Sequence, residues 1–209
     1  RFGRDGILST SSKRNTFKDN SFQDLRFAVH YMYTNDSTIE GNVSIGNHLG
    51  YALMYSSRLR VLDNLSMGDR EHGIMLNYAN ASVIQGNVVE PDADGAAPEK
   101  CVFIYNSNKN SFAGNRFEGC AIGVHFTAGS ERNVMTGNAF INNETQVKYV
   151  GTRWLDWSAD GRGNYWSDNP AFDLDGDGIA DAPYRPNDII DQVLWRQPLA
   201  KLLLNSPAL

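Results

Sequence analysis

Long apolar runs are missing from this 209-residue chain. Nowhere do about 18 apolar residues follow one another, so no segment suits a membrane-spanning helix. A basic excess is missing too. Lys and Arg total 19 against 24 Asp and Glu, a net charge of −5, which speaks against a general nucleic-acid binder. Two cysteines are present, a count that decides nothing by itself. Helical periodicity of 3.6 is absent from the repeating region described next. No Ser/His/Asp arrangement, phosphate loop or CxxC motif occurs. The chain lacks an initiator Met and a leader, and it opens on Arg1 within a repeat (Gly3 to Ile7). It reads as a fragment or processed product, so the missing leader says little about compartment. What remains is 41% hydrophobic and 21% charged, an ordinary balance for one domain.

What the sequence has is a period. Six short segments each close on an asparagine: Asn20, Asn42, Asn64, Asn87, Asn115 and Asn138. The spacings are 22, 22, 23, 28 and 23 residues. The long interval contains a Pro/Gly/Asp/Ala insertion at 91–98, read as a loop budding from one turn of a repeat. About eight residues past each asparagine, a small residue opens a short β-rich run, as in Gly73-Ile74-Met75-Leu76 and Gly123-Val124-His125-Phe126. One such turn cannot bury its apolar face, but a stack can. The expectation is an all-β, single-stranded parallel β-helix with rungs of about 22 residues and strands about 4.8 Å apart. Stacked asparagines would form a ladder beside a corner, and Gly41, Gly86, Gly114 and Gly137 would permit the bend before it. Rungs are expected over 1–150, a capping segment over 151–186 and a helical tail over 187–209.

Trp154, Trp157, Tyr165 and Trp166 suit a cap over the last rung. Within it, Asp173, Asp175, Asp177 and Asp181 stand at positions 1, 3, 5 and 9 of a loop with Gly178 at position 6. That pattern matches the start of a calcium loop, although Tyr184 replaces the closing Glu at position 12. A structural calcium-like ion and a solvated acidic turn are both open readings. The tail suggests helices over 189–196 and 199–204.

The period also supplies a register. If Val29 and Tyr31 face inward with Ile74 and Leu76, alternation turns His30 and Met32 outward. One outer column then reads Leu8, His30, Ala52, Met75, Phe103, His125, and the next reads Thr10, Met32, Met54, Asn77, Tyr105, Thr127. His30, Met32, Met54 and Met75 therefore fall on one outer patch, with His48 and His72 where two of the strands begin. Thioether and imidazole together suit Cu(I). A protein interface is the competing reading, because Met is enriched there too. The same register aligns Cys101 with Gly123, leaving Cys120 three residues out of line. Three extended residues span about 10 Å, beyond the roughly 7 Å reach of a disulfide between α-carbons, so pairing is not expected unless a corner intervenes.

Three segments carry a family resemblance: Ala28 to Asp36, Gly123 to Asn133 and Lys148 to Trp157. Through these the sequence resembles the NosD family, and the likeness covers essentially the whole chain. Gly163 to Asp168 and Asp173 to Asp181 share it, as do other β-helix proteins. The resemblance implies a right-handed β-helix in the periplasm, and the missing apolar runs predict no transmembrane segment of its own. It implies a part in assembling the copper–sulfur cluster of nitrous oxide reductase, as copper carrier or docking scaffold. The implied partners are an ABC transporter membrane subunit, the reductase and a copper chaperone. No family motif identifies copper ligands, so the His/Met patch stands on register alone.

The rival reading is a carbohydrate-binding or carbohydrate-cleaving β-helix. A glycosidase needs two acids about 5–10 Å apart. The candidates are Asp36, Asp69 and Glu71, and register sets Glu71 beside His48 rather than beside a second acid. The expectation is therefore a protein that is not an enzyme.

Overall fold

The computed structural model describes residues 4–127, 129–150 and 157–184, with single positions at 186, 193, 197 and 199. The helical tail expected over 187–209, and Trp154, lie outside the described residues apart from those single positions. The repeat becomes three parallel sheets wrapped around one axis. The first stacks the longer strands Asp5–Lys13, Phe27–Asn35, Leu49–Met54, His72–Asn77, Lys100–Tyr105, Ile122–Thr127 and Thr145–Val150. The second stacks three-residue strands from Thr16–Lys18 to Val134–Thr136, and the third runs from Ser21–Gln23 to Tyr165–Trp166. Each of the first six rungs contributes one strand to each sheet, and neighbours pair in parallel, as at Ile39↔Val61 and Phe117↔Phe140.

Strand length decides what is buried. A three-residue strand turns only its middle side chain inward. Buried middle residues include Ile39, Val61, Ile84, Phe112 and Met135 in the second sheet and Val89, Phe117 and Phe140 in the third, where Trp166 is buried beyond them. The longer strands send two residues inward: Val29 and Tyr31, Ile74 and Leu76, Val102 and Ile104. These side chains form one continuous core along the axis.

The corners follow from backbone chemistry. Before each ladder asparagine stands a left-handed residue: Asp19, Gly41, Asp63, Gly86, Gly114 and Gly137, with φ between 52° and 67°. Gly, and to a lesser degree Asp, adopts that region cheaply. The asparagines then bond in series. Asn42 N–H donates to Asn64 Oδ1 at 2.9 Å, Asn64 to Asn87 at 3.0 Å, Asn87 to Asn115 at 2.9 Å and Asn115 to Asn138 at 3.0 Å. The ladder runs one rung further than the spacing suggested, because Asn138 N–H donates to Asn164 Oδ1. A second corner carries Ser82, Asn110 and Asn133 in the same role. At a third, Asn47 N–H donates to Asp69, whose buried carboxylate also accepts the hydroxyls of Ser44 and Ser66 at 2.6 Å each. Burial pushes the Asp69 carboxyl up from its ordinary range against those hydrogen bonds.

The small residue opening each long strand has a steric cause. A Cβ on Gly73 would lie 2.4 Å from Val89 Cγ1, since here the first sheet closes against the third. Where the column holds Cys101 instead, its sulfur turns into the core. Cys101 and Cys120 form a disulfide, with α-carbons 5.7 Å apart. This overturns the expectation of unpaired cysteines. The extended-chain estimate fails because Cys120 sits in the corner between the strands Arg116–Glu118 and Ile122–Thr127, so the residues from Cys120 to Gly123 do not run straight.

The last rung is closed by aromatics. Trp166 stacks on Phe140 with ring centroids 4.4 Å apart, and Trp157 stands edge-on to Trp166 and to Phe126. Tyr165 points away and is exposed. The insertion at 91–98 leaves the rung as a turn held by Asp92, whose Oδ1 accepts the N–H groups of Asp94 and Ala96.

Candidate functional site: an outer face with soft donors

The long strands carry the outer face, and their register is the one read from the period. Leu8 pairs with His30, His30 with Ala52, Ala52 with Met75, Met75 with Phe103 and Phe103 with His125. Beside them, Met32 pairs with Met54 and Met54 with Asn77. His30, Met32, Met54 and Met75 thus share one surface across three rungs. They are less exposed than a bare outer face implies: His30 is buried at 8% exposure, and the three methionines are half-buried. Ala52 faces outward at their centre yet is fully buried. A methyl group on an outer face loses all contact with water only when larger neighbours lean over it. Its column neighbours are His30 and Met75, with Met54 two residues along its own strand.

His30 is held tightly. Its Nδ1 lies 3.1 Å from Asp5 Oδ2, and Arg26 grips both Asp5 oxygens, at 2.8 and 2.7 Å. Burial works against the Asp5 charge, but the Arg26 and His30 bonds outweigh it and hold the carboxyl below its usual range. Phe27 packs edge-on against the imidazole at 4.7 Å. The other ring nitrogen, Nε2, is buried and finds no hydrogen-bond partner among the described residues. Sequence reasoning missed Asp5 and Arg26. Asp5 pairs with Phe27 on the next rung, but the register alone does not say that its side chain leans toward His30 and Arg26.

A ladder of tyrosines borders the patch. Tyr33, Tyr55 and Tyr78 stack at 5.2 Å intervals, Tyr105 follows at 5.8 Å, and all four are exposed. Beyond the patch, His72 and His125 flank Phe103 at 5.0 and 5.2 Å. Burial pushes the His125 imidazole down to about 4, helped by Lys148 and Lys100. Burial also lowers His72, whose Nδ1 is 2.6 Å from the Glu71 carbonyl oxygen.

The three carboxylate candidates are engaged elsewhere. Asp36 pairs with Arg58 at the surface, and Asp69 is a buried corner residue. Glu71 Oε2 meets His48 Nε2 at 2.9 Å, as the register implied. The expectation that Glu71 has no acidic neighbour is corrected. Lys100 N–H donates to the Glu71 carbonyl, and Glu99 N–H to that of Arg70, which sets Glu99 beside Glu71 one rung on. The column that aligns Met75 with Phe103 already carries this pairing. Glu99 is drawn to Lys100 at 2.6 Å.

In the acidic loop, carboxylate oxygens of Asp173, Asp175 and Asp177 come within 4.8 Å of one another, all exposed. The Gly178 N–H, with those of Gly176 and Asp177, holds the Asp173 carboxyl below its usual range. Asp181 is not in that group; its Oδ2 accepts the Leu174 N–H at 2.9 Å.

The stacked parallel strands, with thioether and imidazole side chains gathered on one outer face, place this chain among the repeat-built β-solenoid proteins. More narrowly, the chain belongs to the NosD family: the model described as "Periplasmic copper-binding protein (NosD)" matches residues 1–171. It is 46% identical over 168 residues to a "Probable ABC transporter binding protein NosD" of Stutzerimonas stutzeri, covering 76% of this chain. A protein of the same description from Pseudomonas aeruginosa is 48% identical over 162 residues, or 74% of this chain. The chain spans 38% of the length of these curated relatives. Among the described residues, no helix is long and apolar enough to cross a membrane.

Proposed function

We propose that this chain is part of a periplasmic accessory protein that handles copper during maturation of the copper–sulfur site of nitrous oxide reductase. It acts with an ABC transporter, a copper chaperone and the reductase, as carrier of the metal or as the surface on which it changes hands. Copper is cargo in this reading. The observation that carries it is the convergence of His30, Met32, Met54 and Met75 on one face, with the His30 Nε2 buried and unpartnered among the described residues. A bare imidazole nitrogen beside thioethers is a donor set for Cu(I). The family description and the names of the relatives support the same direction.

Titration of the protein with Cu(I) against a competing chelator tests this. Changing Met32 and Met54 together to Leu should weaken binding by tenfold or more at unchanged fold. Affinity that is absent, or indifferent to these changes, removes the patch as a copper site. Co-purification with transporter and reductase tests the partners. Turnover of any acidic or neutral polysaccharide would favour the carbohydrate-active reading.

In the capping segment, Asp173, Asp175 and Asp177 would hold a calcium-like structural ion, with Asp181 shaping the loop. Calorimetric titration with Ca²⁺, and its loss in Asp173→Asn with Asp175→Asn, decides between this and a solvated turn.

A further inference from the structure

Nothing in the patch itself explains why His30 carries a buried carboxylate behind it. We propose that Arg26 and Asp5 form a relay that keeps the His30 proton on Nδ1 and presents the bare Nε2 to a soft metal cation on the outer face. The inference rests on the copper reading and names the atom and the positioning residue within it.

The argument is one of exclusion. A neutral imidazole has one N–H and one lone pair. With the proton on Nε2, a buried donor would have no acceptor among the described residues, and the Nδ1 lone pair would face a carboxylate oxygen at 3.1 Å. With the proton on Nδ1, that N–H donates to Asp5 and only a lone pair is left on the outer side. Asp5 cannot turn away, because its side chain is 7% exposed and Arg26 holds both its oxygens. Arg26 is itself seated over the Phe27 ring at 4.5 Å, and Phe27 walls the imidazole. Metal-binding histidines are oriented in this way, by a carboxylate on the nitrogen remote from the metal. Asp5 is thus a positioning residue that acts through His30.

Two readouts test the relay. Long-range ¹H–¹⁵N NMR of the metal-free protein should find His30 Nδ1 protonated and Nε2 pyridine-like. Asp5→Asn, whose amide can donate to Nδ1, should raise the Nε2–H population and weaken Cu(I) binding by about tenfold, while Asp5→Glu restores part of both. Circular dichroism of each variant checks the fold. A wild-type His30 protonated on Nε2 overturns the proposal. So does unchanged Cu(I) affinity in Asp5→Asn while the Met32 and Met54 changes still weaken binding; that result leaves the copper reading intact. If the wild-type chain binds no Cu(I), the copper reading falls and the relay's purpose with it.

Discussion

At the scale of single residues, the corner asparagines do more than mark a period. Asn87 Oδ1 accepts both the backbone and the side-chain N–H of Asn64, and its own Nδ2 donates to the Val61 carbonyl and to Asn115 Oδ1. Every one of these groups is buried. Asn87→Ala leaves several without partners, so urea denaturation should show a loss of at least about 2 kcal/mol. Asn20, at the end of the ladder and partly exposed, should cost less. His125 makes a pH-dependent contribution. Its folded pKa, about 4, lies below the ordinary 6.5. As pH falls through that window, the unfolded chain takes up a proton that the folded chain refuses. The stability from neutral His125 is therefore complete above 6.5 and lost by about 4. The loss is about 1–2 kcal/mol once solvent screening of a half-buried group is allowed for. Denaturation midpoints across this window should show that slope, and His125→Phe should flatten it. The ladder asparagines were legible in the sequence because they recur at fixed spacing. Asp5 and Arg26 were not, because their pairing with His30 depends on side-chain direction between rungs.

At the scale of the element, the rung with the insertion is the exceptional one. At its corner Asp92 holds the insertion, and the Cys101–Cys120 disulfide ties this rung to the next across a 19-residue separation. Closing a loop of that size stabilises by roughly 3 kcal/mol in the chain-entropy account. Cys101→Ser with Cys120→Ser should lower the unfolding free energy by about that amount. Amide exchange should rise first in Lys100–Tyr105 and Arg116–Glu118, the strands the bridge joins. The period placed both cysteines on the correct rungs but treated the chain between them as straight. Cys120 instead stands in the corner between Arg116–Glu118 and Ile122–Thr127, and corners shorten distances that strand arithmetic overstates.

At the scale of the whole molecule, stability passes from rung to neighbouring rung, and an open end exposes core. Trp166 covers Phe140 and is itself 6% exposed. Trp166→Ala should cost about 3–5 kcal/mol, the range for truncating a buried tryptophan. Exchange should quicken in Ala139–Ile141 while the rung around Ile39 stays protected, as nearest-neighbour coupling requires. An outer face built from stacked rungs also makes a site cooperative with the fold. His30, Met32, Met54 and Met75 come from three rungs, so a metal bound there, as proposed, would hold those rungs together.

The sequence by itself determined the solenoid, its period, its inward and outward columns and the family resemblance, because side-chain alternation and stacked corners are local rules repeated at fixed intervals. Tertiary structure alone decided how the columns use their neighbours. It joined two cysteines around a corner and covered Ala52. Behind His30 it placed Asp5 and Arg26. Those outcomes depend on corner angles and on which way each side chain leans between rungs, and neither is written in the spacing of residues along the chain.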